Sequence, residues 1–477
     1  MRDLAARALD TATARGAHYA DVRVEHTERQ MLAVKDGRPD AALSDQGAGF
    51  GVRVLVDGAW GFACSARLEP AEIDRVAALA VEIARASATT TRERVQLGPR
   101  VHTRASYETP VAEDPFRVPL SEKLDLLLRA DAAMRAVAGV TVTEGSFECQ
   151  RVTKLLATSE GTEVSQTLTE TGAGIQATAV GETESQERSY PNSFGRHMGT
   201  AGYEYVRALD LVNNAPRIAE QAVALLSAAQ CPRETTTLIL DPSQTALQVH
   251  ESCGHPIELD RVFGTEASYA GTSFLTLDKR NALRYGSDHV TIVADATIPG
   301  ALGTFGYDDE GIPAQRTVIV DRGTFRNYLT SRETATKIGE TSNGTMRADG
   351  WNRIPLIRMT NINLEPGPWA FQDLVADTDR GIYMETNRSW SIDDRRLNFQ
   401  FGTQIAWEIV GGKLGRMLKN PSYTGITPEF WGSCDAICRE WQVWGTPNCG
   451  KGQPGQTMHV GHGAAAARFR NVRVGVA

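Results

Sequence analysis

Two histidines five positions apart, with a glutamate directly after the first, constrain this chain more than any other stretch: His250-Glu251-Ser252-Cys253-Gly254-His255. An apolar run, Leu238-Ile239-Leu240, precedes them, and Asp241-Pro242 follows it as an N-cap and first-turn pair, so a helix is expected to start there. Histidines four apart on a helix lie about 40° from alignment and can share a metal; five apart they lie about 140° apart. A regular α-helix therefore cannot offer both imidazoles to one ion. Either a π-bulge brings the two into line, or the helix ends near Gly254 and His255 turns back, helped by Pro256. Both solutions place irregular backbone at Gly254.

Two imidazoles leave a catalytic zinc one protein ligand short. The residues open to complete the set are Cys449, Cys253, Cys434, Cys438, His459, His462 and the acids Asp308, Asp309 and Glu310. The run Asp308-Asp309-Glu310-Gly311 also reads as a tight turn between strands. Glu258, three after His255, reads equally as a partner for an imidazole N–H or as a surface glutamate. Cys434, Cys438 and Cys449, with His459, form a rival structural-zinc constellation, although paired cysteines in such sites favour two intervening residues. His18, His26, His102, His197 and His289 are read as packing or solvent residues.

Around this segment the pattern divides in two. Leu4, Ala5, Ala8, Leu9 and Ala12 give a first helix closed by Gly16, and Val22-Arg23-Val24-Glu25 alternates like a half-buried strand. Asp57-Gly58 marks a hairpin turn. Ile73, Val76, Ala77, Ala80, Ile83 and Ala84 form the stripe of a second helix, and Leu124, Leu127 and Leu128 lie on a third. Residues 89–119 read as a long polar loop. Strands are expected over 140–183 with turns at 159–161 and 172–174, then a helix from Pro216 to Ala229. The helical pattern breaks at Cys231-Pro232-Arg233-Glu234-Thr235. Beyond it strands dominate, the last running to Val476. The fold class is α+β: an antiparallel sheet with flanking helices over residues 1–232, and a β-rich domain carrying the metal helix over 233–477.

At 477 residues the chain exceeds one ordinary core. Its 50 basic residues are spread without a basic block, which gives nucleic-acid binding no support. No apolar run nears the about 18 residues that span a membrane, and the charged opening helix is unlike a signal peptide. Seven scattered cysteines fit free thiols in a reducing compartment, so a cytoplasmic location is expected.

The string His250-Glu251-x-x-Gly254-His255-x-x-Glu258, followed by Gly306-Tyr307-Asp308-Asp309-Glu310-Gly311-Ile312-Pro313 and then Asn448-Cys449-Gly450-Lys451-x-Gln453, resembles the TldD/PmbA family of metallopeptidases, on its metal-carrying TldD side. The resemblance spans essentially the whole chain. It implies a barrel-like C-terminal domain, Zn2+ held by His250, His255 and Cys449, and Glu251 as catalytic base. It also implies an enclosed site taking small or unfolded peptides, leader segments of modified peptides among them. A homologous PmbA/TldE-type subunit lacking the zinc ligands is the implied partner in a heterodimer. A zinc-dependent amidohydrolase acting on small molecules, and a scaffold subunit that holds metal without turnover, are the rival functions. Intact His250, Glu251 and His255 weigh against the scaffold.

Overall fold

The computed structural model describes residues 1–193, 197–269 and 271–475; Val476, the end expected for the last strand, lies outside them. The N-terminal half is built on long, strongly alternating strands. Tyr19–Lys35 pairs antiparallel with both Arg38–Val56 and Val142–Thr158, and Val142–Thr158 pairs in turn with Glu163–Val180. The Asp57-Gly58 turn adds Ala59–Ser65, with both residues at positive φ (51° and 80°), the conformation a two-residue hairpin requires. Helices Arg2–Ala14 and Pro70–Ala88 cover Val22, Val24, Val52 and Val54, while Leu120–Arg135 and Leu211–Ser227 cover Leu32, Phe147 and Ile175 further along the strands.

The period-two pattern sends the other side chains of these strands to the opposite face, and there the sequence reading needs correction. Arg23 and Glu25, expected to face solvent, are 1% and 2% exposed, because the C-terminal half docks on them. Arg23 and Lys154 meet Asp309, Arg53 lies 3.6 Å from Glu310, and the Gln166 amide nitrogen donates to the Tyr307 carbonyl at 2.9 Å. The 308–311 run is a turn, with Gly311 N–H donating to Asp308 O. It is also the plug that joins the two halves.

Four further expectations shift. The 89–119 passage contains strand Arg104–Glu108, parallel to residues 163–167. Residues 172–174 lie inside a strand rather than at a turn; a Cβ on Gly172 would stand 2.4 Å from the His197 carbonyl, so that glycine serves a close strand approach. The helix expected from Pro216 starts earlier, at Leu211. Ile83 is 37% exposed, and Val81 takes the buried place.

In the C-terminal half five strands close on themselves: Glu234–Leu240 pairs with Ala467–Val474, that with Ser422–Ile426, that with Asn398–Val410, that with Arg380–Ile392, and that with Glu234–Leu240 again. The last pairing is parallel and the others antiparallel. Stacked and edge-on rings of Phe399, Phe401, Tyr423, Phe430, Trp431 and Phe469 lie in its core. Cys434–Ile437 forms another strand on Ala467–Val474. Among the described residues no helix is long and apolar enough to cross a membrane.

Candidate metal centre

Barrel strand Glu234–Leu240 runs directly into helix Pro242–Val249. The Asp241 carboxylate caps it, accepting from Ser243 N at 3.0 Å and Gln244 N at 2.9 Å, two of the donors a helix start leaves unmatched. The helix then widens into a π-turn, His250–Gly254, in which His255 N–H donates to His250 O at 3.2 Å. Of the two solutions open in the sequence, the chain uses the bulge. It brings the imidazole rings of His250 and His255 to 4.9 Å between centroids.

A separate hairpin, Gln442–Lys451 with Gln456–Ala464, brings Cys449 to them. Ligand atoms of His250, His255 and Cys449 all lie within 4.8 Å of one another, and all three residues are buried. The Cys449 Sγ is 3.7 Å from His255 Nε2. Burial pushes that thiol up, but His255 and the Arg358 guanidinium outweigh it, leaving the thiol below its ordinary range. Burial holds His250 below the usual imidazole value and His255 well below it, so both rings keep a lone pair. Two neutral imidazoles and a thiol poised to ionise suit a divalent, borderline-soft metal.

Cys253 lies between the histidines but packs into the apolar core. All seven cysteines are free. Cys434 and Cys438 are buried in the same core and belong to no metal-competent cluster among the described residues.

Each site residue has a holder. His255 Nδ1 is 3.2 Å from Glu258 Oε2, so Glu258 is the imidazole partner and not a surface residue. Glu258 is fully buried among cations: Arg261 Nε at 3.4 Å, Lys451 Nζ at 3.5 Å and Arg358 Nε at 4.0 Å. Lys451 also donates to both Asp260 oxygens at 2.7 and 2.9 Å and to Ile357 O at 2.8 Å. Arg358 donates to the Cys449 carbonyl. The Lys451 signal was present in the sequence, two residues after Cys449; Arg358 gave none. Glu251 is 5% exposed, and Arg396 Nη1 donates to its Oε2 at 2.6 Å. Arg396 comes from the barrel hairpin 393–398, and sequence reasoning missed it. It also missed the place of His462, counted among the residues open to complete the metal set: its Nε2 lies 2.7 Å from His250 Nδ1. His459 instead faces the N-terminal half, with Nδ1 2.6 Å from Glu170.

His250, Glu251 and His255 open onto a cleft of about 250 Å³ walled by Leu247, Asn387, Trp390, Arg396 and residues 444–450. The outer edge of Gln442–Lys451, which forms one wall, pairs with no strand among the described residues.

Convergent imidazole and thiol donors, a carboxylate beside them and a cleft of this size have the makings of a catalytic metal centre. Sequence comparison gives the family: profiles of the PmbA/TldA metallopeptidase first, central and C-terminal domains match residues 20–84, 113–229 and 233–476. The chain belongs to the PmbA/TldD metallopeptidase family. It is 30% identical to a metalloprotease of Methanothermobacter thermautotrophicus over 457 residues (96% of this chain, 95% of the relative). It is 29% identical to one of Methanocaldococcus jannaschii over 452 residues (94% and 95%). Two solved structures share the fold. One is a Thermotoga maritima protein described as a candidate modulator of DNA gyrase (TM-score 0.79, 17% identity, 99% of each chain), the other TldE from Thermococcus kodakarensis (TM-score 0.76, 17% identity, 99% of each chain).

Proposed function

We propose that the protein is a TldD-type zinc peptidase that hydrolyses small or unfolded peptides, with His250, His255 and Cys449 as zinc ligands and Glu251 as general base. The observation that carries this reading is the convergence of those three donors beside Glu251 in one cleft. Zinc, when bound, supplies Lewis acidity and brings its water's pKa towards about 7. Glu251 accepts the proton at a carboxylate oxygen and passes it to the leaving amine. Arg396 holds that carboxylate at Oε2, leaving Oε1 to face the proton. A thiolate ligand cancels part of the metal's charge and makes it a weaker Lewis acid, so the base carries more of the catalysis.

In strand Gln442–Lys451, Gly445 N–H and the Cys449 carbonyl are already taken by His197 and Arg358. Residues 446–448 of that strand, which line the cleft, offer main-chain groups to an extended peptide, with weak sequence demands. That favours unfolded chains as substrates, including leader segments of modified peptides. A homologous TldE-type subunit as partner and a cytoplasmic location belong to the same proposal. The test is Glu251→Gln: zinc stays at one per chain while cleavage of an unfolded peptide falls by about 10²–10⁴-fold. Full turnover by that variant would refute the mechanism.

A further inference from the structure

The two candidate ligand imidazoles are held differently. Behind His255 stands the Glu258 carboxylate; behind His250 stands a third imidazole, His462, fully buried. His462 Nδ1 lies 3.2 Å from the carbonyl of Ile362. A carbonyl only accepts, so Nδ1 of His462 carries the proton, and Nε2 of the neutral ring holds the lone pair. That lone pair faces His250 Nδ1 at 2.7 Å, a contact that closes only if His250 is protonated at Nδ1. Nε2 of His250 is then the bare nitrogen, free for a metal.

We infer that His462 is a positioning residue that fixes His250 in the Nδ1–H tautomer and so presents its Nε2 for metal binding. The inference rests on the zinc-site reading above and adds to it the residue that prepares one ligand.

The backbone around His462 is built to keep it there. Gly461 N–H donates to Thr360 O at 3.2 Å and Gly463 N–H to Asn363 Oδ1 at 2.6 Å. A Cβ on Gly461 would stand 2.2 Å from Asn361 Oδ1, and one on Gly463 1.9 Å from the Trp441 ring. The glycines on either side let the strand lie close enough to Asn361 and Trp441 for His462 to reach both partners. A neutral acceptor also differs in kind from Glu258: it orients the ring without adding a negative charge behind it.

Two substitutions separate this role from simple packing. His462→Asn keeps a donor near Ile362 O but ends short of His250. His462→Gln places an amide oxygen near the position of Nε2, where it can accept from His250 Nδ1. In metal-free protein with 15N-labelled imidazoles, wild-type His250 should show the Nδ1–H tautomer, and the Asn variant a mixture. Zinc affinity, measured by competition with a chelator, should fall about 10–100-fold in the Asn variant and stay within the same order of magnitude as wild type in the Gln variant. An Nε2–H tautomer in the wild type, or equal affinities in the two variants, would overturn the assignment. Failure of wild-type protein to bind zinc would reject the zinc reading alone, because the tautomer of His250 still decides the role of His462.

Discussion

The backbone N–H of His255 reaches the carbonyl of His250 at 3.2 Å, five residues back. This π-type bond absorbs the extra residue that separates the motif from the four-residue spacing a plain helix would need. It leaves the rings edge to face at 85° and 4.9 Å, where an α-helix would have turned them about 140° apart.

Gly254 closes that turn, and the reason is packing. A Cβ there would stand 2.2 Å from Met359 Sδ, and Met359 is fully buried. Gly254→Ala should therefore push Met359 aside or shift the turn, costing about 1–3 kcal/mol and lowering zinc occupancy. Met359→Ala in the same chain should restore part of both losses, because contacting residues are energetically coupled. Denaturant unfolding and metal analysis of the two variants check this; additive effects would mean the glycine acts through something other than Met359.

The irregular turn, the capped helix, the free cysteines and the β-rich second half were all legible in the sequence, since each follows from local spacing or residue chemistry. What could not be read was set by contacts between distant segments. Arg23 and Glu25 occupy positions that alternation assigns to solvent, yet they are buried because the 308–311 turn lands on their face. His462, 212 residues from His250, and Arg396, 145 from Glu251, stand in no local pattern that marks them. Conversely, Ile83 fits the helical stripe but lies exposed at one edge of it, while Val81 at the opposite edge is buried: periodicity locates a face and does not say how wide the neighbour covering it is.

His459 and Glu170 join the Cys449 hairpin to the N-terminal sheet. Burial lowers the imidazole pKa, but the Glu170 carboxylate outweighs it, and the net shift is upward. A raised folded value means the pair stabilises the fold fully below the unfolded imidazole value of about 6.5 and loses that contribution as pH rises through the higher folded value. Thermal melts from pH 6 upwards should show wild type losing more stability than Glu170→Gln, in which the carboxylate partner is gone. Parallel pH profiles for the two proteins would show that the pair contributes nothing to docking.

Cys449 is proposed as the third ligand, and the sulfur is testable against its rivals. It reaches His255 from a hairpin with a register shift between Thr446 and Cys449, and its carbonyl is pinned by Arg358, so the thiol's place is fixed by backbone contacts on both sides. Burial pushes the thiols of Cys253, Cys434 and Cys438 up to about 12 in each case, which disfavours the thiolate that a metal needs. Only Cys449 moves in the other direction. Cys449→Ala should therefore lose zinc, whereas Cys434→Ala and Cys438→Ala should keep it, at a stability cost for the small cavities they open. Cys449→Asp, which restores an anionic oxygen donor, should recover part of the metal content. Retention of full zinc by Cys449→Ala, with loss in either of the other alanine variants, would move the site to a different sulfur.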